Sequence, residues 1–250
     1  MKSLTKADLS FVRLIATDMD GTLTKNGKFT SQLSIALESL AAKKIPVLIV
    51  TGRSAGWVSA IAHYLPVAGA IAENGGLFYD SSDAAFELIT KLDDIEHHRL
   101  QLKEMFQLLQ GKFPEIVESV DNSFRVTDWT FDIGNLNPQQ LIVMERLCNE
   151  RGFGFTYSTV QCHIKPKQQD KAFGLQQILK KYFPNLTPQQ IVTVGDSPND
   201  ESLFNSDYFP LSVGVANITE YSDRLQYKPI YITSFSEAEG FCQLADFLTK

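Results

Sequence analysis

The chain has 250 residues, of which 44% are hydrophobic and 21% are charged, and its formal net charge is −6. This composition is typical of a soluble globular protein with one large domain or two smaller ones, and it excludes disordered, collagen-like and low-complexity chains. The negative charge disfavours binding to nucleic acids and to anionic membranes.

The cysteines and the hydropathy pattern indicate the cellular compartment in which the protein is expected. Cys148, Cys162 and Cys242 are far apart and form no CxxC pair, so we expect neither a disulfide framework nor a zinc site. No apolar run approaches the roughly 18 residues of a membrane span, and residues 1–10 lack the apolar core of a signal peptide. We therefore expect a reducing, cytoplasmic location and no membrane partner.

The first part of the chain alternates short apolar runs with helical patterns. Apolar runs rich in β-branched residues predict buried strands, and apolar residues at every third or fourth position predict helices. The predicted elements are a strand at 11–17, a helix at 31–44, a strand at 45–50, a helix at 54–63 and a strand at 69–72. This order is typical of parallel strands joined by right-handed crossovers.

The middle of the chain has a different pattern. It predicts a helix at 93–110, a strand at 124–133, a helix at 138–151 and one or two strands at 153–164. Asn137 followed by Pro138 is a typical helix start, because asparagine caps the first turn and proline fits its first position. We expect an inserted α+β domain here.

The earlier pattern then resumes. It predicts a helix at 168–183, strands at 191–194, 213–216 and 229–233, and a closing helix at 237–249. The predicted fold class is therefore α/β. A Rossmann-like core with a parallel sheet is encoded by residues 1–81 and 163–250, and an α+β domain at 82–162 interrupts it.

Two predicted strands end in pairs of acids. Asp18 and Asp20 follow the first strand in the sequence DMDGT, and Asp196 and Asp200 follow the strand at 191–194 in the sequence GDSPND. Ligands of open α/β sheets bind beyond the carboxyl ends of the strands. Four carboxylates gathered there need a metal ion or a shared proton, and Mg²⁺ prefers oxygen ligands. Each pair by itself is also compatible with an ordinary turn.

Two further segments carry polar groups to the same edge of the predicted sheet. Thr51, Gly52 and Arg53 offer a hydroxyl, a flexible backbone and a cation, which could bind phosphate oxygens at a helix N-terminus or simply cap the helix. Lys171 lies in the first predicted turn of a helix, where the helix dipole disfavours a cation. Its position suggests a role outside the helix, the alternative being an exposed surface lysine.

Together, these segments resemble the haloacid dehalogenase-like hydrolase superfamily. Its phosphatase branch carries a DxDGT motif, a Thr or Ser after the second strand, a lysine and a GDxxND motif in that order, and here they lie at 18–22, Thr51, Lys171 and 195–200. The ENGG sequence at 73–76 resembles the Cof-like branch, near sucrose-phosphate and mannosyl-3-phosphoglycerate phosphatases. The insertion resembles a C2-type cap. Ala172 departs from the pattern, since many relatives have glycine after the lysine.

The resemblance implies a Mg²⁺-dependent phosphatase that hydrolyses a small phosphorylated metabolite, with sugar phosphates as the leading class, through an aspartyl-phosphate. Asp18 would be the nucleophile and Asp20 the general acid and base. Asp18, Asp196 and the Asp20 carbonyl would hold the metal, supported by Asp200. The phosphoryl group would be held by Thr51 and Lys171, and the other candidate substrate-binding residues are Gly52, Arg53, Asn74 and Asn199.

A cap would close over this site, and its candidate contacts are Arg125, Asp128, Trp129 and His163. Lys165 and Lys167 are alternatives for the lysine role, although Lys171 fits the helix start better. Two other functions stay open at this point. One is a phosphomutase or phosphotransferase that passes the phosphoryl group to an alcohol, and the other is a non-catalytic protein that binds a phosphorylated metabolite.

Overall fold

The computed structural model of the chain describes residues 1–82, 85–158 and 160–250. Within these ranges the chain forms two β-sheets and a set of flanking helices. The strands are β1 (Lys2–Ser3), β2 (Leu14–Thr17), β3 (Val47–Val50), β4 (Gly69–Ala72), β5 (Leu77–Asp80), β6 (Phe86–Leu88), β7 (Trp129–Asp132), β8 (Phe153–Tyr157), β9 (Gln161–Pro166), β10 (Ile191–Gly195), β11 (Ser212–Gly214) and β12 (Tyr231–Ile232). The α-helices are α1 (Ser31–Ala42), α2 (Ala55–Tyr64), α3 (Ile95–Lys112), α4 (Pro138–Glu150), α5 (Lys171–Tyr182) and α6 (Glu237–Thr249).

The larger sheet has the strand order β1-β12-β11-β10-β2-β3-β4-β5-β6. In this spatial order all neighbouring strands are parallel as far as β4. Strands β5 and β6 then extend the sheet in antiparallel fashion at the edge beyond β4. From β2 the chain first builds the sheet towards β4, and it later returns through β10 on the other side of β2. The crevice at such a reversal is where open α/β sheets bind ligands. The predicted α/β fold class is confirmed.

Both faces of the larger sheet are covered by helices. Every residue of β2, β3, β4 and β10 is buried, as expected for parallel strands with helices on both sides. Apolar side chains of α1, α2 and α6 fill one face, and those of α5 pack on the other. The central strand ends are therefore held rigidly, and they fix the positions of the polar residues that follow them.

The smaller sheet is antiparallel, with the order β7-β9-β8, and it packs against α3 and α4 around its own apolar cluster. The boundary predicted at 82 would separate β6 from its partner strand, and the boundary predicted at 162 falls inside β9. Strand β6 pairs with β5 of the larger sheet, and β9, which ends at Pro166, belongs to the smaller one. We therefore propose that the insertion predicted at 82–162 runs from about 89 to 166, and that the core comprises the segments on either side.

The strand predicted at 124–133 is partly wrong. Val120–Phe124 forms a turn of 3-10 helix, and β7 begins only at Trp129. The backbone N–H groups of Val126, Thr127 and Asp128 donate to the buried carboxylate of Glu73 and not to a neighbouring strand. This side-chain acceptor, distant in sequence, explains the difference. The short strands β1, β5 and β6 were not predicted, whereas the cap of α4 by Asn137 was.

Candidate active site

Lys171 joins the two acidic motifs at the carboxyl edge of the larger sheet. Its side chain is fully buried at the start of α5, and Nζ donates to Asp18 Oδ1 at 2.5 Å and to Asp200 Oδ1 at 2.6 Å. Asp170 caps this helix by accepting from the N–H of Phe173, which fixes the first turn. Asp18 Oδ2 has no hydrogen-bond partner among the described residues. The lysine thus neutralises part of the charge and leaves one oxygen of Asp18 available.

Asp196 lies at the end of β10, beside the loop that follows β2. Its Oδ1 accepts from the hydroxyl of Thr22 at 3.0 Å, and its Oδ2 accepts from Asn217 Nδ2 at 2.9 Å. Gly21 has φ +81°, and a Cβ there would lie only 2.4 Å from Asp196 Oδ2. Glycine is therefore required at position 21 both for the backbone conformation and for the approach of the carboxylate. Sequence reasoning missed Asn217, which lies outside every motif.

Asp200 is held by a buried cation on one oxygen and by backbone N–H groups on the other. Oδ1 accepts from Lys171, and Oδ2 accepts from the backbone N–H groups of Asp196 and Ser197 at 2.9 and 3.0 Å. The carboxylate therefore fixes the loop after β10 and the position of the lysine. This geometry suits a supporting role better than that of a direct metal ligand.

Burial and mutual repulsion change the ionisation of these acids. Burial raises the pKa of Asp18 to about 7; Lys171 opposes the shift, and Asp200 and Asp20 add to it. The pKa of Asp196 is raised well above its ordinary range, first by burial and then by the charges of Asp18 and Asp200. A carboxylate oxygen from each of Asp18, Asp196 and Asp200 lies within 4.8 Å of the others. This buried, all-oxygen cluster fits a hard divalent cation, which would offset the repulsion.

The loop after β3 forms the opposite wall of the crevice. Thr51 is buried, and its hydroxyl oxygen accepts from the N–H of Arg53 at 3.1 Å. The guanidinium of Arg53 stacks on Trp57 and donates to both oxygens of Asp20 at 2.7 and 2.8 Å. Asp20 and Arg53 are thus paired at the mouth of the site, so Arg53, a predicted substrate-binding residue, contacts the predicted general acid here. Ser54 is the N-cap of α2, but its side chain makes no capping hydrogen bond.

The ENGG turn brings Asn74 next to the acidic motif. Asn199 Nδ2 donates to Asn74 Oδ1 at 3.2 Å, and Asn199 Oδ1 accepts from the hydroxyl of Ser197. Asn74 Nδ2 is buried and has no hydrogen-bond partner among the described residues. Such a donor fits a ligand oxygen. Asn199, a predicted substrate-binding residue, therefore fixes the position of the Asn74 side chain.

The two other lysines considered for this role lie elsewhere. Lys165 is buried in β9, and its ammonium donates to the backbone carbonyl of Gln169. Lys167 is exposed in the segment that leads to α5. Of the three lysines, Lys171 is the one that meets Asp18. The departure at Ala172 is accommodated, because its methyl group packs into the apolar cluster beneath α5.

The insertion forms the roof of the crevice. A narrow cavity lies between core and insertion, and its lining residues are Asp18, Asp20, Thr51, Gly52, Arg53, Ser158, Val160, Gln161, His163, Ser197 and Asn199. Of the four predicted cap contacts, His163 lines the cavity, and Arg125 and Asp128 stand behind it. Trp129 does not line the cavity; it packs inside the insertion against Phe106 and Arg99. Among the described residues, none of the helices could cross a membrane.

The sequence matches the family model described as haloacid dehalogenase-like hydrolase over residues 15–105 and 138–240. Among curated proteins it is similar to the phosphoglycolate phosphatase of Thermoplasma acidophilum, with 27% identity over 93% of this chain and 96% of that protein. It is similarly related to the phosphoglycolate phosphatase of Nitrosopumilus maritimus, with 28% identity over 94% and 96% of the two chains.

Two solved structures have the same fold as this chain. A crystal structure of a Thermoplasma acidophilum protein has a TM-score of 0.76 and 22% identity, with 95% of this chain and 98% of that chain covered. The sucrose-phosphatase of Synechocystis, in complex with sucrose and phosphate, has a TM-score of 0.67 and 16% identity over 94% and 97% of the two chains. The family predicted from the four motifs is confirmed.

Proposed function

This chain belongs to the haloacid dehalogenase-like hydrolase family and is a phosphatase, and we propose that it hydrolyses a compact phosphate monoester with Mg²⁺ as cofactor. The observation that carries the proposal is the buried cluster in which Lys171 joins Asp18 to Asp200, with Asp196 alongside. The cluster provides a nucleophilic oxygen, a fixed cation and a set of metal ligands at one sheet edge.

In the proposed reaction, Asp18 attacks phosphorus and the bond to the ester oxygen breaks. Asp20 gives its proton to the leaving oxygen, and the product alcohol departs. Asp20, now ionised, takes a proton from water, which attacks the aspartyl-phosphate and releases inorganic phosphate. One difficult displacement is thereby divided into two easier ones. Before the first step Asp20 must leave Arg53, and an anionic substrate at the mouth would compete for that guanidinium.

The other residues position the phosphoryl group. Lys171 would neutralise charge on its oxygens, and the Thr51 hydroxyl and the unpaired Asn74 Nδ2 would donate hydrogen bonds to it. Mg²⁺ held by Asp18, Asp196 and the Asp20 carbonyl would supply further charge neutralisation, with Asp200 supporting the loop. All of these groups lie on strand ends or helix starts of the core, which keeps their geometry fixed.

The relatives favour a small substrate. The space that a water molecule can enter between core and insertion is only about 20 Å³, so the site is nearly closed in this structure. Phosphoglycolate, named for the relatives in Thermoplasma and Nitrosopumilus, and sugar monophosphates are compact, whereas sucrose 6-phosphate is a disaccharide ester. We propose that the compact esters are substrates and that the disaccharide ester is not.

The test is phosphate release from a panel of esters, measured for the wild type and for Asp18→Asn. The panel contains phosphoglycolate, glycerol 3-phosphate, hexose phosphates and sucrose 6-phosphate. We expect turnover of compact esters that EDTA stops and Mg²⁺ restores, and a loss of at least about 10³-fold in Asp18→Asn, since the nucleophile is removed. Equal activity of the variant, or turnover in EDTA, would refute the assigned roles.

A further inference from the structure

His163 is the group through which the insertion reaches deepest into the catalytic crevice. It lies in β9, is almost fully buried, and lines the cavity opposite Asp18 and Thr51. A Cβ built on Gly52 would lie 3.1 Å from His163 Nε2 and 3.0 Å from Cε1. The imidazole edge therefore rests on the loop after β3, and it can do so because residue 52 has no side chain.

Asp128 fixes the orientation of this ring. His163 Nδ1 lies 2.8 Å from Asp128 Oδ2, and Arg125 donates to both oxygens of the same carboxylate at 2.9 and 3.1 Å. Arg125 also donates to the backbone carbonyl of Gly52 at 2.9 Å, which ties the pair to the core. Although burial opposes ionisation of Asp128, the charge of Arg125 and the hydrogen bond with His163 outweigh it and lower its pKa. An ionised carboxylate only accepts, so Nδ1 carries the proton.

The other ring nitrogen is then an acceptor. Burial lowers the pKa of His163 despite the presence of Asp128, so the imidazole is neutral and Nε2 has a lone pair. In the described ranges no residue forms a hydrogen bond with Nε2. The polar groups beside it differ in this respect, since the Gln161 amide is bound to Arg125, Ser119 and Asp121. His163 Nε2 is therefore an acceptor without a partner at the cavity wall.

We propose that His163 is a specificity-determining residue that accepts a hydrogen bond from a hydroxyl group of the substrate. The proposal rests on the proposed function, and it names the substrate class as compact polyol or sugar phosphates. The carboxylate of phosphoglycolate offers only acceptors, so it cannot satisfy Nε2. Asp128 and Arg125 are positioning residues, because they set the tautomer and hold the ring against Gly52.

The test compares glycerol 3-phosphate, which has hydroxyl groups, with propyl phosphate and phosphoglycolate, which have none. For each ester, kcat/KM is measured for the wild type, for His163→Leu and for His163→Gln, whose amide oxygen can replace the acceptor. His97→Leu is the matched control, because His97 is an exposed histidine on α3. We expect the ratio of kcat/KM for glycerol 3-phosphate over propyl phosphate to fall at least about tenfold in His163→Leu.

We also expect His163→Gln to recover part of the ratio of kcat/KM for glycerol 3-phosphate over propyl phosphate. His97→Leu should leave this ratio unchanged. If the ratio is unchanged in His163→Leu, or if the wild type prefers phosphoglycolate and that preference is lost in the variant, the proposal is wrong. The second outcome would identify His163 as a cationic carboxylate-binding group. Absence of turnover with every ester in the wild type would instead contradict the proposed function itself.

Discussion

At the level of single residues, the surroundings of Asp18 disfavour its ionised form. The side chain is buried, and its pKa of about 7 lies well above the ordinary value of an aspartate. A raised pKa in the folded state means that the folded protein is favoured when the group is protonated. The contribution of Asp18 to stability is therefore greatest below pH 4 and is lost as the pH rises towards and through 7.

This shift predicts that Asp18→Asn stabilises the metal-free protein at high pH. The amide cannot ionise, so it avoids repulsion by Asp200, and this gain exceeds the lost ion pair with Lys171. In EDTA at pH 8 we expect an increase in the free energy of unfolding of about 1–3 kcal/mol, shrinking towards pH 5. Denaturant titrations at both pH values measure it, with the exposed Asp93→Asn as control. A destabilised variant at pH 8 would argue that the Lys171 pair dominates.

The turn between β4 and β5 shows how one short element joins core and insertion. Glu73 and Asn74 both have φ +53°, a conformation uncommon for residues with a side chain. The turn is kept because the Glu73 carboxylate accepts from the N–H of Ala55 in α2 and from the N–H groups of Val126 and Thr127 in the insertion. The buried Glu73 carboxylate therefore accepts hydrogen bonds from backbone N–H groups of both the core and the insertion.

Replacement of this acceptor should be costly. In Glu73→Gln a single amide oxygen remains, and the NH₂ group faces N–H donors that have no water to replace the lost bonds. We expect a loss of about 2–4 kcal/mol in the free energy of unfolding. Urea unfolding measures it, with Glu38→Gln, an exposed change of equal charge on α1, as the control. A loss as small as that of the control would show that these N–H groups find other acceptors.

At the level of the whole molecule, the catalytic cavity exists only between core and insertion. Arg125 of the insertion donates to the Gly52 carbonyl, and His163 packs on the same residue. The side chains that would handle the phosphoryl group come from the core, whereas Gln161 and His163 come from the insertion. In the proposed reaction, this arrangement would exclude water from the reacting groups.

Gly52 is the point at which this closure can be tested. In Gly52→Ala the new methyl group would lie 3.0–3.2 Å from His163 and from Asn74 Nδ2, closer than carbon atoms normally approach. We expect a fall in kcat/KM of about 3- to 30-fold, with the melting temperature within about 3 °C of the wild type. Gly111→Ala is the control, because no heavy atom lies within 4 Å of its Cβ position. Wild-type kcat/KM would mean that the insertion does not press on this loop during turnover.

The sequence by itself determined the α/β class, the order of most elements and the family. These properties rest on local patterns, since a buried parallel strand must be apolar and the catalytic acids must follow its end directly. For the same reason Asp18, Thr51, Lys171 and Asp196 could be proposed as site residues from the sequence, and the structure brings them to one edge of the larger sheet. The four motifs also favoured Lys171, which begins α5 and contacts Asp18 in the structure.

Only the tertiary structure decided which side chains support the site and which residues of the insertion cover it. The acceptor role of Glu73, the contact of Asn217 with Asp196 and the pairing of Arg53 with Asp20 link residues that lie far apart in the chain. No periodicity or motif marks such contacts, because each depends on which buried donor meets which acceptor after packing. The same holds for the boundaries proposed for the insertion, which follow from strand pairing, and for the orientation of His163, which its contact with Asp128 fixes.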